Sequence, residues 1–190
     1  MSSALIVIDV QQEYFTGAWP IVHPDRDVAA EHIVAAMRAA TAAGIPVVVV
    51  QHREPAGSSV FADGSAGQEL HPAIAAEHHD HQLFKTYPGC FTGTDLSEWL
   101  AARSVDELVL CGFMTHMCVD STARQALHAD LAAIVLADAT GTLDVEAPDG
   151  TTIPARQVHE TELAVIGSAF ARIVNTAEWI AEVSAGLADE

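Results

Sequence analysis

The stretch Leu108–Arg124, LVLCGFMTHMCVDSTAR, decides how this chain is read. An apolar run of strand length leads into a sharp turn at Gly112, and a helical pattern opens at Cys118. The reading is a buried strand over Glu107–Cys111 and a helix over Met117–Asp130. A thiol at such a junction lies near the first-turn N–H groups of the helix, which carry partial positive charge. That field favours thiolate over thiol. Cys118 is therefore a candidate activated nucleophile, and the flanking sequence is read for its partners.

Outward from this unit the same alternation repeats. Apolar strands are expected at Ala4–Asp9, Ile45–Gln51, Gln82–Lys85, Leu131–Ala137 and Ala171–Val174. Helices are expected at Asp27–Ala43, Leu96–Arg103, Ala155–Ser168 and Thr176–Leu187, with Asp95 and Glu98 as a capping pair. Arg53–Ala66, Thr86–Gly93 and Thr140–Pro154 read as loops. Strands apolar along their whole length, alternating with helices, imply a parallel sheet covered on both faces. The fold expected is a three-layer α/β/α sandwich of Rossmann-like type, with a mainly parallel six-stranded sheet, in one domain over residues 1–190. In such sheets sites gather at the carboxyl ends of the strands. Asp9, Gln51 with His52, Lys85 and the turn before Cys118 all fall there.

Composition narrows the chemistry. The chain has 190 residues with 26 acidic side chains against 8 basic ones, a formal net charge of −18. Such a surface repels phosphate backbones and anionic membranes, so no nucleic-acid or membrane partner is expected and a small-molecule substrate is. No apolar run approaches the roughly 18 residues that span a bilayer. The N-terminus reads as a first strand rather than a signal peptide. Three cysteines without framework spacing argue for a reducing, cytoplasmic setting and against disulfides or a Cys-x-x-Cys metal site. Cys90, in a loop, and Cys111, inside a strand, read as structural.

The residues at the rim have bland alternatives. Cysteine is often a small buried hydrophobe, and a carboxylate at a strand end often caps a loop. Lys85, however, is one of few cations and sits between apolar neighbours. An ammonium near Cys118 would stabilise its thiolate, and Asp9 would shuttle a proton.

These motifs, in this order, resemble the isochorismatase-like cysteine hydrolases. Asp9 is followed by Gln11 and Phe15. Lys85 leads into an aromatic loop and Gly93, Thr94, Asp95 and Leu96. The segment Gly112–Cys118 is followed by Ser121, Thr122 and Ala123. The likeness runs from about Ala4 to about Val174. It implies a catalytic triad of Asp9, Lys85 and Cys118, and a non-proline cis peptide between Phe113 and Met114. It also implies an oxyanion hole from the backbone N–H groups of Met114 and Cys118. The chemistry implied is hydrolysis of an amide-type C–N bond through a cysteine thioester, without a cofactor. A homo-oligomer, dimer or tetramer, is expected from the same resemblance. Phe15, Trp19, His52, Phe61, Tyr87, Phe91, Phe113 and His116 are the expected pocket walls.

One branch of the family carries a metal after strand two on an Asp-x-His pattern. Here the segment is VQHRE at Val50–Glu54, with the Asp missing and the His displaced. His71 and the histidines at 78, 79 and 81 fit no standard site, so no metal is expected. Three other classes remain as alternatives. An isochorismatase-type hydrolase of another metabolite would share the fold. An idle binding protein of the same fold would show no preferential alkylation of Cys118 at neutral pH. A redox sensor would need a resolving cysteine, and Cys111 is poorly placed for that. A nucleotide-binding domain lacks its glycine motifs.

Overall fold

A computed structural model describes residues 2–188. In chain order it contains β1 (Ser3–Ile8), α1 (Arg26–Ala42), β2 (Val47–His52), the single turn α2 (Pro72–Ala75) and β3 (His81–Lys85). There follow α3 (Leu96–Ala101), β4 (Glu107–Phe113), α4 (Asp120–His128) and β5 (Ala132–Gly141). The chain continues through β6 (Val145–Glu146), β7 (Thr152–Ile153), α5 (Ala155–Ala169), β8 (Arg172–Val174) and α6 (Thr176–Ala188). Six strands form one sheet in the order β3-β2-β1-β4-β5-β8. Every neighbour pair in it is parallel.

The strands are apolar on both faces because helices cover both. Leu5, Val7, Val49, Val109, Cys111 and Leu136 enter one core. Their alternates Ile6, Ile8, Val48, Val50, Leu108 and Leu110 enter the other. This is the two-residue period of a strand applied to a sheet with no wet face. Helix α1 closes the first core through Ala29, Ile33, Ala36, Met37 and Ala40 at helical spacing, all fully buried. The side chain of Asp25 starts that helix by accepting from the N–H groups of Asp27 and Val28 at 3.0 and 3.2 Å, satisfying two otherwise orphaned donors. Leu96, Leu100, Ala123, Ala126 and Ile166 bring α3, α4 and α5 onto the opposite face.

Strand order reverses between β1 and β4, so a crevice opens at their carboxyl ends. Gly112 makes the closest approach there. Its φ is +106°, and a Cβ on it would stand 2.0 Å from the Ile8 carbonyl oxygen. Only glycine lets β4 lie this tightly against the end of β1.

Four sequence expectations are corrected. Asp95 does not cap α3 with its side chain; its Oδ1 bonds His81 Nε2 at 3.0 Å instead. The loop expected from Thr140 contains the antiparallel pair β6–β7. Strand β5 runs to Gly141, because a bulge after Leu110 lets Gly112 and Phe113 pair again with Thr140 and Gly141. The helix behind the thiol starts earlier, with one wide π-type turn at Thr115–Val119 ahead of α4. Cys118 thus lies inside that turn rather than at a helix entrance. No helix among the described residues is long and apolar enough to cross a membrane.

Candidate active site

Three strand ends deliver three reactive side chains to the crevice. Asp9 follows β1, Lys85 ends β3, and Cys118 lies in the turn after β4. Lys85 Nζ stands 2.6 Å from Asp9 Oδ2, and both side chains are completely buried. The same ammonium donates to Cys118 Sγ at 3.3 Å and to His52 Nδ1 at 3.4 Å. Asp9 sits at φ +52°, a left-handed conformation in which Asp is over-represented. Its N–H bonds the Val50 carbonyl and its own carbonyl accepts from Gln11 N–H. The strained residue is therefore held from both sides, as is usual where backbone strain persists at a site.

Burial and the neighbouring Asp9 carboxylate hold the Cys118 thiol well above its ordinary range, partly offset by Lys85. Burial opposes the Lys85 charge, but the Asp9 carboxylate outweighs it and raises its pKa. These directions run against the expected thiolate at a helix entrance. Desolvation of the sulfur exceeds the help it receives, which favours a thiol beside a lysine–aspartate ion pair.

The turn itself is pinned. The peptide between Phe113 and Met114 is cis. The Met114 carbonyl accepts from Met117 and Val119 N–H. Thr115 Oγ1 bonds Thr140 Oγ1 at 3.1 Å and His159 Nδ1 at 2.9 Å. Thr122 Oγ1 donates to the Cys118 carbonyl at 2.6 Å and accepts from Cys90 N–H at 3.2 Å.

A cavity of about 500 Å³ opens onto Cys118. Of the expected walls, Trp19, His52 and Phe61 line it. Phe15 does not: it is buried between His71 and Phe113, at 4.3 and 5.9 Å between ring centres. Phe113 is itself fully buried core. In the tight turn Gln12–Tyr14 it is Tyr14, one residue earlier, that reaches the cavity. Tyr87 is 58% exposed outside the lining. Phe91 packs on the second core and borders a separate cleft by α3. His116 Nδ1 bonds Thr142 Oγ1 at 2.6 Å, which removes it from the cavity wall.

The lining residues not named from sequence are Tyr14, Glu54, Ser58, Ser59, Val60, Thr86, Pro88 and Met117. Loop residues carry no periodicity, so only His52 two positions before Glu54 gave a signal. Cys90 is also nearer the site than expected. It is fully buried, and its thiol is pushed up to about 12 by burial, against the pull of Lys85. Among the described residues no three His, Cys, Asp or Glu side chains converge in a way that would hold a metal. His78 and His81 pair instead with Asp80 and Asp95.

The sequence profile of the isochorismatase domain matches residues 3–178. The chain belongs to the isochorismatase family. Its fold matches the crystal structure of a candidate isochorismatase of Burkholderia xenovorans LB400 with a TM-score of 0.95 at 49% identity, covering 97% of this chain and 88% of that one. The isochorismatase family protein YddQ of Bacillus subtilis is 32% identical over 178 residues, 93% of this chain and 97% of YddQ. The ureidoacrylate amidohydrolase RutB of Methylobacterium radiotolerans is 32% identical over 169 residues, 72% of this chain and 66% of RutB. This isochorismatase-family protein is accordingly a hydrolase, and its three strand-end side chains occupy the switch point where its fold class binds ligands.

Proposed function

We propose that this hydrolase cleaves an amide-type C–N bond of a small molecule through a thioester on Cys118. The observation that carries the reading is the convergence of Asp9 and Cys118 on the Lys85 ammonium, at 2.6 and 3.3 Å, with Cys118 lining an apolar cavity. The similarity to an enzyme described as an amidohydrolase supports it.

Because burial and the Asp9 carboxylate raise the pKa of the thiol, attack on the carbonyl is coupled to transfer of its proton to Asp9. Lys85 stabilises the thiolate as it forms and keeps Asp9 in place. The tetrahedral oxyanion falls to the N–H groups of Met114 and Cys118. A donor of this kind is worth about 2.7–4 kcal/mol in the transition state. Collapse breaks the C–N bond, and Asp9 passes its proton to the leaving nitrogen. Water, deprotonated by Asp9, then adds to the thioester, and its proton returns to sulfur as the acid leaves.

A panel of small amides assayed for ammonia release tests this. Cys118→Ala is expected to abolish turnover with an unchanged melting curve, and the wild-type chain to accumulate an acyl adduct visible by intact mass. Activity retained in Cys118→Ala would sink the assignment of the nucleophile.

A further inference from the structure

The cavity wall carries one fixed negative charge that the hydrolytic steps do not use. Glu54 borders the cavity with its side chain about a third exposed. Its backbone is anchored on both sides: its N–H donates to the Phe61 carbonyl, and its carbonyl accepts from Asp63 N–H, each at 2.9 Å. Its Oε1 lies 2.7 Å from His52 Nε2.

The protonation of His52 decides whether that charge is cancelled. Its other nitrogen, Nδ1, faces the Lys85 ammonium at 3.4 Å. An ammonium only donates, so Nδ1 accepts and the ring proton sits on Nε2, directed at Glu54. Such a ring is neutral, and the carboxylate keeps its charge. Among the described residues no other cation supplies the balance. Lys85 is consumed by Asp9 and Cys118. Arg53, next in sequence to His52, lies over the Phe84 ring at 4.4 Å and reaches Asp63 at 3.9 Å.

Aromatic rings line the same cavity as this carboxylate. Phe61 meets Tyr14, His52 and Trp19 at 5.2, 5.3 and 6.0 Å between ring centres. It is held at φ +49°, an outlier for a bulky residue and one that tends to mark a ligand-binding wall. A carboxylate flanked by aromatic rings suits an ammonium group, through an ion pair and cation–π attraction.

We propose that the cavity selects amides whose far end carries a cationic amine, with Glu54 and the Trp19–Phe61 wall receiving it, and discriminates against carboxylated amides. The inference rests on the amide-hydrolase reading and deepens it. It separates this chain from a relative whose named substrate, ureidoacrylate, is a carboxylate.

Three amides of matched length test it: 4-ammoniobutanamide, pentanamide and succinamate. The wild-type kcat/KM is expected to be about tenfold higher for the ammonium compound than for the neutral one, and lowest for the carboxylate. Glu54→Gln is expected to collapse the ammonium-to-neutral ratio towards one. Raising the salt concentration should shrink the same ratio in the wild type. Equal rates, preference for succinamate, or a ratio unchanged in Glu54→Gln would overturn the inference while leaving amide hydrolysis intact. Binding of the three compounds to Cys118→Ala by calorimetry separates the two readings. Glu54-dependent preference for the ammonium compound without wild-type turnover supports the charge selection and refutes the amidase reading. Absence of that preference in binding refutes the charge selection.

Discussion

Dismantling the Asp9–Lys85 pair gives the sharpest measure of what the site costs the fold. Both side chains are completely buried and their charged atoms lie 2.6 Å apart. At an effective dielectric of about 20, that separation corresponds to roughly 6 kcal/mol of attraction. Most of it is offset by desolvation, so the pair as a whole stabilises little. Removing one partner is another matter, because the survivor is left charged in a dry crevice. Lys85→Met or Asp9→Asn alone is expected to cost about 3–5 kcal/mol, which for a chain of this length lowers Tm by roughly 6–20 °C. The double variant Asp9→Asn/Lys85→Met removes both charges and is expected to lie within about 1–2 kcal/mol of wild type, or above it. The coupling energy from urea melts at pH 7 should then be several kcal/mol. Additivity within about 0.5 kcal/mol would show that the two groups do not share one desolvated environment, and the proton-transfer argument built on it would fail.

Three further outcomes follow from individual residues. Gly112→Ala places a Cβ 2.0 Å from the Ile8 carbonyl oxygen at φ +106°; about 3 kcal/mol or more of stability should be lost, with turnover falling further than the melting curve alone explains. His159 has its pKa lowered to about 4 by burial and by the neighbouring His23, so the unfolded chain takes up a proton first as pH falls from about 6.5. Stability should be full above that pH and decline towards pH 4, by roughly 2 kcal/mol after allowance for solvent screening, and His159→Gln should flatten that slope in pH-dependent urea melts. The raised pKa of Cys118 predicts that iodoacetamide labelling accelerates about tenfold per pH unit up to about pH 9 with no plateau; a plateau near neutrality would restore the thiolate at rest. Peptide mapping of the native protein should find label on Cys118 and none on the fully buried Cys90 and Cys111.

The fold was legible because its strands carry an unbroken apolar signal, and the positions of Asp9, Lys85 and Cys118 follow from where those strands stop. What sequence could not show was set by tertiary detail. Thr140 and Gly141 look like loop residues, yet they extend β5 because the bulge beyond Leu110 realigns them with β4. Asp95 has the composition of a cap, yet His81 claims its carboxylate. Phe15 and Tyr14 are equally aromatic, and only the geometry of a single tight turn decides which faces the cavity. Glu54 was hidden for a similar reason: it gains meaning only once the loop folds back and Phe61 and Asp63 fix its backbone.

The state of the sulfur changes the logic of the site most. A helix-entrance thiolate would be reactive in the empty enzyme and open to any small electrophile. In the proposed mechanism the buried Cys118 thiol instead gives its proton to Asp9 during attack, which ties activation to a carbonyl already seated beside the wide turn. Slow labelling at neutral pH therefore does not separate an idle binding protein of this fold from a working hydrolase. Substrate-dependent acylation does. Lys85 then has two opposed effects that fit one purpose. Its charge lowers the energy of the thiolate, while its ion pair with Asp9 weakens that carboxylate as a base. Because the same ammonium lies 2.6 Å from Asp9 and 3.3 Å from Cys118, the proposed proton transfer from sulfur to Asp9 moves negative charge between two atoms that it contacts throughout. The transfer then proceeds with little reorganisation, which is what preorganised electrostatics contributes to a buried site.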